Sequence, residues 1–178
     1  MNIEAAGIIR IIDIEGLTKI ELYEQLQVQS ILLNAYAEEL FADERFDPTS
    51  SKQSIVTVEL SAADLGFPDG ATMPELLARA HAAELHAGPL ELGVYLRLHL
   101  LDQPAGDLAS EVRHQAPNGS ITVVSSPLTD DPDFPKGFYL RRMDGKLWLR
   151  GYRADDQHIW NGQDRFIFVK AKDPSSCL

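Results

Sequence analysis

The side chains best suited to chemistry are five histidines, one cysteine and a surplus of carboxylates, with 27 acidic residues against 16 basic ones. A metal needs ligands at set spacings, and His81, His86, His99, His114 and His158 do not offer them. On one continuous helix His81 and His86 point to different faces, not to the shared face of an i, i+4 pair. His99 stands close to Arg97, whose charge disfavours a cation. Thr129-Asp130-Asp131-Pro132-Asp133 is rich in carboxylates. A calcium loop counted from Asp131, however, would place glycine sixth and glutamate twelfth, where Lys136 and Arg142 stand. Cys177, the single cysteine, can neither close an internal disulfide nor supply a multi-thiolate zinc site. It also lies outside the four-residue prenylation pattern. Neither a metal nor a cofactor is expected.

Serine chemistry has no G-x-S-x-G elbow to work from. Ser125-Ser126 reads as the end of a strand, where serine is a turn residue. Glu91, Arg97 and His99 form the candidate catalytic set. A carboxylate and an imidazole can share general acid–base work if the fold joins them, beside an arginine that holds an anion. That role requires the three to converge within about 6 Å, the range over which charges shift one another's pKa. A solvated surface position is the commoner fate of such a glutamate.

Asp144-Gly145 is the strongest hairpin signal in the chain. A two-residue turn there pairs Met143 with Lys146, Arg141 with Trp148 and Tyr139 with Arg150, and places all six on one face. Phe138, Leu140, Leu147 and Leu149 fall on the other face, a core set that Arg142 interrupts. Arginines interleaved with aromatics on the outer side of an acidic protein suit an anion, a nucleotide or an acidic partner. Tyr139, Arg141, Trp148 and Arg150 are therefore the candidate binding residues. Cross-strand arginine–aromatic pairs also stabilise a sheet with no ligand at all, and an N-terminal helix could cover this face.

The elements that position these residues follow from pattern. Residues 3–14 are isoleucine-rich and ambiguous between a short helix and a strand. Thr18-Lys19-Ile20-Glu21 fits a capping box. The helix it opens is expected to reach Phe41 or Arg45, with Leu22, Leu26, Leu33, Tyr36 and Leu40 on one seam. Asp47 to Gln53 reads as a linker. Ile55–Leu60 is a strand, and Thr72-Met73-Pro74-Glu75 caps a helix that stops at Gly88-Pro89. Val94–Leu101 alternates apolar with polar and is expected as a half-buried strand. Residues 102–119 form a long loop. Strands follow over Ile121–Ser125, Phe138–Met143, Lys146–Tyr152 and Arg165–Lys170. The expected fold class is α+β: a mostly antiparallel sheet of five or six strands packed with two or three helices. A helical N-terminal segment spans residues 1–50 and an α+β domain spans residues 54–172.

The stretch from Ile55 to Val169 resembles a group of small bacterial proteins with no established function. The likeness rests on Ala63-Asp64-Leu65-Gly66-Phe67 with Gly70-Ala71-Thr72, and on Pro89-Leu90-Glu91-Leu92-Gly93 with Leu96-Arg97-Leu98. Asp102-Gln103-Pro104, Leu147-Trp148-Leu149 and Asp164-Arg165-Phe166-Ile167-Phe168-Val169 complete it. Relatives of this kind are sometimes labelled helicases. This sequence has no G-x-x-x-x-G-K-[ST] phosphate loop, and 178 residues cannot hold two motor domains. The resemblance implies a shared fold and no chemistry.

A 178-residue chain with 44% hydrophobic residues can bury a substantial core. Its net charge of -11 repels phosphate backbones, so nucleic acid is disfavoured as a partner. The Met1-Asn2-Ile3-Glu4 start lacks a signal-peptide pattern and no stretch suits a bilayer, so the expected location is the cytoplasm, with no membrane. The functional expectation is a non-catalytic interaction or regulatory module that binds a protein partner or a small anionic ligand. The alternative is a small enzyme acting on an anionic substrate. The N-terminal helix is expected to pack on the chain's own core, with homodimerisation through it as the alternative.

Overall fold

The computed structural model describes residues 3–106 and 119–172. Among them run ten strands: β1 (Ile8–Ile14), β2 (Leu32–Leu33), β3 (Gln53–Ser61), β4 (Ala71–Thr72), β5 (Leu85–His86), β6 (Ile121–Val123), β7 (Gly137–Met143), β8 (Lys146–Tyr152), β9 (Ile159–Trp160) and β10 (Arg165–Lys170). Four α-helices accompany them: α1 (Lys19–Val28), α2 (Ala35–Ala42), α3 (Met73–Ala82) and α4 (Glu91–His99). The main sheet has eight strands in the order β1-β3-β10-β6-β7-β8-β2, with β5 on the far end of β10. Most pairings are antiparallel, and β6 with β10 and β2 with β8 are parallel. The fold is α+β.

Alternation along the strands feeds two cores. In β10, Ile167 belongs to one cluster and its neighbours Phe166 and Phe168 to the other, as the pleat requires. The first cluster is closed by Leu22 and Leu26 of α1, Leu40 and Phe41 of α2, and most of α4. The second is closed by Leu76 and Ala80 of α3. The leucine seam packs on the chain's own core at Leu22, Leu26 and Leu40, which are 0%, 1% and 0% exposed. Glu59 of β3 ties three strands together, accepting from Arg10 at 2.6 Å and from Arg165 at 2.5 Å.

Four expectations are corrected. The N-terminal segment expected to be helical has only a 3-10 turn over Ile3–Ala6 before it becomes a strand: β1 pairs residue for residue with β3, from Ile8 with Glu59 to Ile14 with Gln53. The ambiguity of residues 3–14 resolves this way because Ile12 and Ile14 alternate into the core while Ile9 and Ile11 stay out. The single long helix is two. Thr18 and Glu21 do form the capping box, but α1 stops where Ser30 turns left-handed with φ 56. Ser30 N–H then reaches Gln27 O at 3.0 Å and Ile31 N–H reaches Leu26 O at 2.9 Å, a Schellman closure without its usual glycine. Asn34 reopens the helix by capping Ala37 N–H at 2.9 Å, and it also holds Gly151 of β8 through two bonds of 2.8 and 3.0 Å.

The third correction is the largest. Val94–Leu101 is not a strand; α4 covers Glu91–His99. Every residue from Glu91 to Arg97 is buried, so no polar face reveals the helical period. Gly93 permits the packing, since a Cβ there would sit 2.9 Å from the Cβ of Phe138. The strand number rises from five or six to eight in the main sheet, with β4 and β9 forming a separate pair. The added elements β2, β4, β5 and β9 are two residues each, too short to show a period.

Candidate functional site

The Glu91, Arg97 and His99 set does not assemble. Glu91 and His99 lie at opposite ends of α4, about 12 Å apart along the axis at 1.5 Å per residue. Glu91 is buried and accepts from Thr49 N–H at 3.1 Å. His99 is exposed. Arg97 is 0% exposed and clamps backbone. Its Nη1 donates to Gln103 Oε1 at 2.7 Å, Trp148 O at 3.2 Å and Arg141 O at 3.3 Å, and its Nη2 donates to Leu100 O. Gln103 passes the network on to Gly119 O at 2.9 Å and Leu140 O at 3.1 Å. Burial, with the nearby Arg142 charge adding to it, lowers the Arg97 pKa to about 10, so the side chain stays cationic at neutral pH. Its job is to tie the end of α4 to the hairpin.

The hairpin has the register that a two-residue turn demands, with Arg141 opposite Trp148 and Tyr139 opposite Arg150. Asp144 and Gly145 both take positive φ, 52 and 73. The face is largely self-engaged. Arg150 donates to the Tyr139 hydroxyl at 2.7 Å and lies 5.1 Å from the Trp148 ring centroid. Arg141 is only 6% exposed and cannot be offered to a partner as it stands.

A different place combines open volume with unmet polar groups. Beyond the end of β6, Val124 is gripped from both sides: its N–H donates to Ile167 O at 3.0 Å and its carbonyl accepts from Gly88 N–H at 2.9 Å. Ser125 follows, bridged to Gly88, and Gly137 starts β7. A Cβ on Gly137 would lie 2.7 Å from the Ser125 hydroxyl and 3.8 Å from the Tyr152 hydroxyl, so glycine keeps these two groups together. Trp160 of β9 closes the far wall, packed edge-on against Tyr152 at 5.8 Å and Phe166 at 5.3 Å. The resulting cleft holds about 430 Å³, with Met73 and Leu77 of α3, Val124 and Pro127 as apolar walls. Exposed Asp130, Asp155 and Asp156 and half-buried Lys136 complete the lining.

Two residues that line this cleft each carry a buried polar atom without a partner: the Trp160 indole N–H, on a residue 5% exposed, and the Ser125 hydroxyl. Burial also pushes the Tyr152 phenol above its usual range, so its O–H stays protonated at neutral pH. An unpaired buried donor costs about 1–3 kcal/mol, so two on one cleft call for an explanation. Sequence inspection passed over Trp160 and Tyr152, and read Ser125 only as a turn residue. The one available signal is the apolar pair Ile159-Trp160 inside the otherwise polar stretch from Asp155 to Asp164.

Among the described residues no group of three or more histidine, cysteine or acidic side chains is placed to hold a metal ion. No helix among them is long and apolar enough to cross a membrane. His114 and Cys177 lie outside the described residues. Comparison with protein-family models, curated proteins and solved structures finds no match.

Proposed function

We propose that the protein is a non-catalytic binding module that holds a small molecule in the cleft beside Trp160. The observation that carries this is the buried, unpartnered indole N–H of Trp160, a residue that walls a cleft of about 430 Å³. Small-molecule sites combine apolar walls with a few convergent polar groups, and this lining has both. Indole N–H is only a donor, so the ligand must bring an acceptor. A carbonyl, carboxylate or phosphoryl oxygen fits, with the Ser125 and Tyr152 hydroxyls close enough to one another to share the same head group. The body of the ligand lies on Met73, Leu77 and Val124. No histidine or cysteine is among the described lining residues, so no nucleophile–imidazole pair stands there. The three aspartates disfavour a ligand whose negative charge extends to the mouth, so any anionic charge belongs at the buried head.

The test is an NMR titration of the full chain with a panel of small carboxylates, amides and phosphomonoesters. Ligands that bind should move the Trp160 indole N–H resonance and leave that of Trp148 in place. Trp160→Phe should lower their affinity at least tenfold, a loss of about 1.4 kcal/mol. If no panel member perturbs Trp160, or if the variant binds as well as the native protein, the cleft is not the site.

A further inference from the structure

His81 sits in the last turn of α3 and His86 in β5. On an unbroken helix their directions would differ by about 140°. The chain breaks between them: α3 ends at Ala82, Glu84 takes φ 59, and β5 runs back beside the helix. The two rings therefore meet. Their centroids are 4.9 Å apart with planes at 78°, and their Nδ1 atoms are 3.2 Å apart.

We propose that His81 and His86 chelate a single divalent transition-metal ion of the zinc, copper or nickel kind, with water at the remaining positions. Two nitrogens bound at about 2.0–2.1 Å, with about 90–110° between the bonds, lie about 2.9–3.4 Å apart. The observed spacing falls inside that interval before any ion is present. Both nitrogens stand on fixed backbone, one on a helix and the other on a strand that pairs with β10 through His86 and Val169. His81 is exposed and His86 half-buried, so an ion has a path in and room for water. Imidazole favours zinc, copper and nickel over magnesium or calcium, which take oxygen ligands. The competing use of the contact is a neutral N–H···N hydrogen bond between the rings, which would leave the pair indifferent to metal.

Titrating the full chain with zinc chloride alone, and following the histidine ring C–H signals by NMR, separates the two. The His81 and His86 signals should move together, at one ion per chain and before those of the other histidines, and magnesium chloride should do nothing. His81→Ala or His86→Ala should each weaken binding by at least about tenfold, the cost of losing even a supporting ligand contact. Cys177→Ser should leave binding unchanged. The proposal is overturned if zinc leaves the two rings unmoved in the native chain, if His81→Ala binds as tightly, or if Cys177→Ser removes the binding.

Discussion

Two buried polar regions in this molecule look alike in composition and differ in closure. Around Arg97, a guanidinium with no exposed surface meets three backbone carbonyls and the Gln103 amide, and only its Nε lacks a partner. Around Trp160, an indole N–H and a serine hydroxyl meet nothing, and open volume lies beside them. The Arg97 region bears the residues that sequence marked as chemical, yet its hydrogen bonds are used internally to hold the fold. The Trp160 region carried no sequence flag, yet its unmet donors are what a ligand can satisfy. In a buried setting, residue type is a weaker guide to function than whether the hydrogen bonds close.

The sharpest way to break this contrast is to open the closed region. Arg97→Met keeps much of the volume but removes the donor shared by the Leu100, Arg141 and Trp148 carbonyls and the Gln103 side chain. It should cost about 3–5 kcal/mol in urea unfolding, the range for breaking a buried charged network. Arg97→Lys restores the charge without the fork and should fall between native and methionine. A loss below about 1 kcal/mol for Arg97→Met would mean the network is not holding α4 to the hairpin.

Crowding the open region is the next largest change. Gly137→Ala pushes a methyl group to 2.7 Å from the Ser125 hydroxyl and should cost about 1–2 kcal/mol. Removing that hydroxyl should recover part of the loss, so Gly137→Ala and Ser125→Ala should couple by about 0.5–1 kcal/mol in a double-mutant cycle. Additive effects would place the two groups further apart than they are here.

A pH scan compares the regions through Tyr152. Burial raises its phenol pKa, so on the alkaline side the unfolded chain gives up this proton first. The unfolded state then binds fewer protons than the native one, and stability falls as pH rises above about 10. The contribution lost by about pH 11 is about 1 kcal/mol, and Tyr152→Phe should remove that part of the slope. An unchanged slope in the variant would show that the phenol is solvated.

Much of the sheet was legible because β3, β7, β8 and β10 are long enough to show alternation and because Asp144-Gly145 sets the hairpin register. The capping boxes at Thr18 and Thr72 were legible because their side chains act within one turn. What failed has physical causes. α4 reads as a strand because burial on all sides erases the helical period. The break at Ser30 is silent because a serine takes the left-handed turn usually given to glycine. The His81–His86 meeting is hidden because Glu84 does the same. The cleft was not legible as a cleft: Ser125, Tyr152 and Trp160 come from three separate stretches, and Trp160 reaches it from β9, outside the main sheet.

The smallest expected effect is the most discriminating. Ser125→Ala deletes a hydroxyl that has no partner in the protein. Nothing is left unpaired by its removal, and the methyl that remains keeps the wall intact. Stability should therefore change by no more than about 0.5 kcal/mol, with a gain as acceptable as a loss, since an unmet buried hydroxyl is itself a cost. The same substitution should weaken whatever ligand the Trp160 titration identifies, because a hydroxyl kept without an internal partner matters only to something that comes from outside. A loss of 1 kcal/mol or more in the ligand-free protein, read in the same urea experiment as Arg97→Met, would mean that Ser125 is bonded within the fold and that the two regions are alike after all.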